Sequence, residues 1–171
     1  MKKINAKKLT IAGFLIALNI VLSRIVTIPG IVNFGGFPII FAGIALGPVF
    51  GGIVGAVGDV VSFIIRPTGA FLPHFVLTSA LTGIIPGLVV NLLKNEIRDP
   101  KIWKVFVSIL TGQIITSVLM VPYFRQMLFG QPFMVNFLRT LPKQAINIPV
   151  YSVLIVILVK ALSKAGALAK A

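Results

Sequence analysis

The chain has no cysteine, and of its 171 residues three are acidic and one is histidine. Without cysteine there is no disulfide, no thiolate metal site and no thiol nucleophile. With three carboxylates and one imidazole, a carboxylate pair or a histidine-rich metal cluster is out of reach. The sequence also lacks a G-x-x-x-x-G-K-[ST] phosphate loop and an H-E-x-x-H zinc motif, so neither nucleotide hydrolysis nor metal-assisted hydrolysis belongs to this chain. His74 and Ser79 are close in sequence, but a catalytic pair needs an orienting third group that the pattern does not supply. No enzymatic activity, cofactor or metal is expected.

Hydrophobic residues make up 57% of the chain and charged ones 11%, with a mean hydropathy of +1.06. A soluble domain does not carry that balance. Apolar blocks run over Leu9–Ile28, Phe37–Ile65, His74–Leu93, Ile102–Val121 and Pro142–Leu162. About 20 such residues cross a hydrocarbon layer. The first block follows a lysine-rich start but is longer than a signal h-region and has no A-x-A-like site, so it reads as a span. Phe37–Ile65 as one helix would reach about 43 Å, and it carries Gly47-Pro48 and Gly51-Gly52 near its middle. Two short helices joined by a tight turn fit better.

Positive charge collects on cytoplasmic flanks. Six spans with the N-terminus inside put Lys2, Lys3, Lys7, Lys8, Lys94, Arg98, Lys101, Lys104, Lys160, Lys164 and Lys170 on one side, against Arg24, Arg66, Arg125, Arg139 and Lys143 on the other. Five spans would divide them evenly. The reading is therefore one all-α membrane domain over residues 1–171, with helices near 9–28, 37–47, 49–65, 74–93, 102–121 and 142–162 and both termini cytoplasmic. Glu96 and Asp99 fall in the cytoplasmic loop, and the net charge of +13 is explained by this bias, with no nucleic acid required.

The five outer cations face no acid in the outer loops. Arginine forks match carboxylate or phosphate geometry, so a shared anionic guest accounts for them, while snorkelling to headgroups is the alternative for any one. Asp59 is the one acid inside a span. Its depth matches that of Arg24, which predicts an Arg24–Asp59 pair, either as a packing salt bridge or beside a wet cavity. Leu141-Pro142 reads as a helix start, followed on one face by Lys143, Asn147 and Tyr151, with Gln144 widening the stripe. Such a stripe points inward, for interhelical hydrogen bonds or for a ligand. Phe34, Phe37, Phe71, Phe75, Tyr123, Phe124 and Phe129 gather at the outer ends, as an interfacial belt or as walls for a flat ligand. Gly35-Gly36 and Pro67-Thr68-Gly69 are flexible or sharply bent connections suited to lids. Gly13 and Ala17 form a small-xxx-small pair in the first helix, for packing within the bundle or for docking a second subunit.

Taken in order, Leu22-Ser23-Arg24, Phe34-Gly35-Gly36-Phe37-Pro38, Phe41-Ala42-Gly43-Ile44, Gly47-Pro48, Gly55-Ala56-Val57-Gly58-Asp59, Pro67-Thr68-Gly69-Ala70-Phe71, Leu81-Thr82-Gly83 and Lys143-Gln144 are similar to the S components of energy-coupling factor (ECF) vitamin transporters, in the folate-type branch. The resemblance implies a multi-pass protein of a prokaryotic cell membrane that binds its vitamin near the outer face. It also implies docking on a transmembrane coupling subunit with two cytoplasmic ATPases, and inward movement of the ligand by toppling of the whole subunit. The A-x-x-x-A docking motif of that family maps onto Gly13 and Ala17. Folate suits the cations, since its tail has two carboxylates and its pterin is flat. Pantothenate, pyridoxine and hydroxymethylpyrimidine stay open as ligands, and a small channel-like protein is the reading outside transport subunits. The expected binding residues are Arg24, Phe34, Asp59, Phe71, Phe75, Arg139, Lys143, Gln144 and Asn147.

Overall fold

The computed structural model describes residues 6–25, 34–67, 71–94 and 99–164, with the side chains of 24 and 25 outside the description. Every regular element among them is helical: α1 Ala6–Ile25, α2 Gly36–Ala45, α3 Pro48–Ile65, α4 Pro73–Leu92, α5 Ile102–Gln113, a π-helical segment Ile114–Met120, α6 Val121–Phe129 and α7 Phe133–Lys164. The α5, π and α6 stretches are continuous and form one 28-residue rod. Five helices are long and apolar enough to cross a membrane: α1, α3, α4, the α5–α6 rod and α7. This is a multi-pass membrane protein. At 10 residues α2 reaches about 15 Å, half of a hydrocarbon layer.

Gly47-Pro48 makes the break in the second apolar block. Gly47 adopts φ +108°, which ends α2, and Pro48 opens α3 at a position where its missing N–H costs nothing. Helices α1 and α3 run parallel. Their direction is fixed by contact: a Cβ on Gly58 would stand 2.7 Å from Asn19 Oδ1, and Ser23 and Ser62 reach one common cavity further along. Nine of the ten α2 residues are buried, so α2 is the central pillar of the core although it is too short to cross on its own.

Glycine sets the closeness of α2, α3 and α4. A Cβ on Gly51 would come within 2.6 Å of Gly43 Cα and 2.7 Å of the Gly83 carbonyl. Backbone meets backbone there, as small-residue crossings in membranes allow. Gly112 of α5 likewise admits the Pro86 ring.

The last two helices differ from the sequence expectation. The fifth does not stop at Val121 but continues to Phe129, and the sixth does not begin at Pro142 but at Phe133. Pro142 is therefore an interior proline, as is Pro149. Neither breaks α7, which spans about 48 Å by helical rise; an apolar-run count trims it because Arg139, Thr140 and Lys143 interrupt the hydropathy. Pro122 lies just beyond the π segment and cannot donate to the Val118 carbonyl, which gives the ladder a reason to change register there. The first helix starts earlier than expected, at Ala6, and residues 26–28 lie outside the described set.

Candidate functional site

Six elements converge on a cavity of about 340 Å³, at the low end of the range for small-molecule sites. Five of them bring polar residues at helical spacing: Asn19 and Ser23 from α1, Asp59 and Ser62 from α3, Thr78, Ser79 and Thr82 from α4, Gln113 and Ser117 from the rod, and Gln144, Asn147 and Tyr151 from α7. Gly35, Gly36 and Ile39 close one side. In an otherwise apolar bundle these side chains have no cheaper place to be. The contributing stretches lie toward the end of α1, the end of α3, the start of α4 and the first half of α7. The cavity thus occupies the half of the bundle remote from the α1 start and the α7 end.

Hydrogen bonding inside the cavity is biased toward acceptors. Thr78 Oγ1 donates to the His74 carbonyl at 2.9 Å, and Thr82 Oγ1 to the Thr78 carbonyl at 2.8 Å. Ser117 Oγ donates to Gln113 Oε1 at 2.6 Å, and Asn19 Nδ2 to the Gly35 carbonyl at 2.6 Å. Those protons are spent on the protein itself, and the hydroxyl lone pairs remain. Asp59 adds a half-buried carboxylate that accepts from Ser79. Gln144 Oε1 and Asn147 Oδ1 are buried with no hydrogen-bond partner, a state that costs about 1–3 kcal/mol per group until a donor arrives. A guest that brings several N–H groups relieves most of this at once.

One wall is aromatic. Tyr151 is 2% exposed, with the Phe37 ring 5.9 Å and the Phe34 ring 6.2 Å from its centroid. A Cβ on Gly36 would stand 3.8 Å from the Tyr151 hydroxyl, so glycine there keeps the wall clear.

Of the residues expected from sequence, Asp59, Gln144 and Asn147 line the cavity and Phe34 packs behind its Tyr151 wall. Phe71 is exposed and leans on Phe63 at 5.2 Å, and Phe75 is half-buried in α4; neither lines it. Arg139 and Lys143 are exposed on α7 and also stand outside the lining. The Arg24 side chain lies outside the described residues, and with it the expected Arg24–Asp59 pair. Thr68 and Gly69 of the expected lid fall outside them too. Gly13 and Ala17 are exposed on α1, and among the described residues nothing stands within 4 Å of a Cβ at Gly13.

Sequence reading missed Asn19, Ser62, Thr78, Thr82, Gln113 and Ser117. The signal was available: each is a polar residue within an apolar helix, three or four positions from another one.

The family described as ECF-type riboflavin transporter, S component, matches residues 3–164. Among characterised proteins, the folate transporter FolT of Clostridium novyi (strain NT) is 31% identical over 158 residues, 91% of this chain and 88% of that protein. A crystal structure of FolT bound with folic acid superposes with a TM-score of 0.75 at 23% identity, covering 93% of this chain and 98% of that one. At that identity the superposition speaks for a shared fold.

Proposed function

The chain belongs to the ECF-type riboflavin transporter S-component family, and from that premise we propose that it is the substrate-binding subunit of a vitamin importer in a prokaryotic cell membrane and that its vitamin is a folate. The pterin ring enters the cavity and the glutamate tail points out of the mouth. The α2 segment completes a sixth passage, both termini are cytoplasmic, and the cavity faces outward. The subunit docks through the exposed Gly13–Ala17 face on a transmembrane coupling subunit with two cytoplasmic ATPases, and toppling carries the ligand inward.

The family description names riboflavin and the relative's name says folate. The observation that favours folate is the acceptor bias around Asp59. A pterin sets its exocyclic amino group beside a ring N–H, two parallel donors that fit the two oxygens of one carboxylate. The pyrimidine edge of riboflavin puts a single N–H between two carbonyls, which would turn lone pairs toward the carboxylate. Buried polar groups left unpaired reject such a ligand strongly. Tyr151, backed by Phe34 and Phe37, supplies a face for the flat ring.

Calorimetric titration of the purified chain, without nucleotide, tests this. Folic acid is expected to bind 1:1, and riboflavin at least a hundredfold more weakly. Tighter binding of riboflavin would overturn the assignment.

A further inference from the structure

Four of the helix faces that line the cavity continue, four residues nearer the end of the bundle where the cavity lies, to a basic side chain. On α3 Ser62 is followed by Arg66, and on α4 Thr78 is preceded by His74. On the rod Val121 is followed by Arg125, and on α7 Asn147 is preceded by Lys143. Four residues are about one turn and roughly 6 Å of rise, so the four form a rim just above the lining. Arg66, Arg125 and Lys143 are exposed. Arg125 leans toward α7 through a 3.5 Å contact with Asn136 Oδ1, and half-buried His74 meets Phe124 in a tilted contact, centroids 5.1 Å apart, with its Nδ1 unpartnered. Among described carboxylates, Asp59 is within the cavity and Asp99 pairs with Lys160 at the opposite end of the bundle, so none offsets the rim.

Headgroup anchoring explains cations on lipid-facing stripes. It does not explain why these extend the stripes that face the cavity. We propose that the rim reads the charge of the ligand's tail, so that the protein prefers pteroyl ligands with an oligo-γ-glutamate tail, three or more carboxylates, over the monoglutamate. This rests on the folate reading above. Each added γ-glutamate lengthens the tail and contributes one carboxylate; each exposed pair adds a modest, salt-screened attraction.

The test is calorimetry on the full chain in nanodiscs of zwitterionic lipid, which removes anionic headgroups as competitors. The ligands are pteroic acid, folic acid and pteroyltriglutamate, at about 20 mM and about 500 mM NaCl. At low salt each added carboxylate is expected to tighten binding roughly threefold, and at high salt the series flattens. The triple variant Arg66→Gln, Arg125→Gln, Lys143→Gln is expected to lose the triglutamate-to-pteroate affinity ratio, a readout within one protein that a uniform loss of binding does not move. Equal or falling affinity along the series, or a ratio that survives in the triple variant, would overturn the rim proposal alone. Failure of all three compounds to bind would overturn it together with the folate reading.

Discussion

Asp59→Asn separates a ligand-reading carboxylate from a structural one. The substitution keeps shape and removes charge. A hydrogen bond to a charged acceptor contributes about 1.5–3 kcal/mol, against about 1 kcal/mol for a neutral one. If two pterin N–H groups share the carboxylate, asparagine retains one neutral bond and turns its own NH2 against the second donor. The loss is then about 3 kcal/mol, roughly 150-fold in Kd, and partial hydration of the half-buried site could lower it to about tenfold. Stability should move the other way. Asp59 is a charge within an apolar bundle, and its neutral isostere spares the desolvation cost, so Tm should hold or rise. Titration with folic acid and a melt of the same preparation give both numbers. A Kd within threefold of wild type, or a fall in Tm at unchanged Kd, would refute the reasoning and return Asp59 to the role of a packing ion pair.

Gly83→Ala forces a Cβ into the Gly51 backbone, where no side chain can yield, and should lower stability by about 1–3 kcal/mol or prevent folding; melting with and without ligand measures it. Gly13→Leu projects from an open face of α1, so folic acid affinity and Tm should be unchanged while co-purification with the coupling subunit and ATPases is lost; retained assembly would exclude that face. The Lys160 ammonium, 2.8 Å away, holds the Asp99 carboxyl below its ordinary value. A depressed carboxylate contributes stability above its unfolded pKa and loses it as pH falls through the folded one. Both groups are largely exposed, so Asp99→Asn should leave Tm between pH 5 and 8 unchanged; a marked drop would mean that the bridge carries more than its exposure suggests.

The spans were legible because hydropathy is a sum over about 20 residues, and Gly47-Pro48 was legible because glycine and proline act locally. Asp59 and the Lys143–Asn147–Tyr151 stripe stood out for the same reason: one odd residue in an apolar run is visible. The rest depended on convergence. Thr78 or Ser117 alone is an ordinary membrane-helix residue whose hydroxyl bonds its own helix. It becomes part of a site only when four other elements turn polar residues to the same point. Phe71 and Arg139 stand outside the cavity lining. Phe71 precedes α4, and for Arg139 the position along α7 was suitable, but azimuth decides what lines a cavity, and Arg139 stands twelve residues, about 120° of helical turn, from Tyr151.

Azimuth also gives the π segment a reason. In an α-helix every fourth residue drifts by about +40°, so Gln113, Ser117, Val121 and Arg125 would wind away from the cavity and leave Arg125 about 120° off line. In a π-helix, at about 4.4 residues per turn, a step of four drifts by roughly −33°. The seven residues Ile114–Met120 therefore turn a drift of about +80° between Gln113 and Val121, which both reach the cavity, into one of about −65°, and the α-helical step to Arg125 brings the total back to about −25°. Pro122, by withholding its N–H, ends that stretch and lets α helix resume toward Arg125. A stripe that must stay in line from the cavity floor to its rim needs such a register change somewhere along the rod. The place where it occurs, between the lowest and highest lining residues, is where it corrects the most.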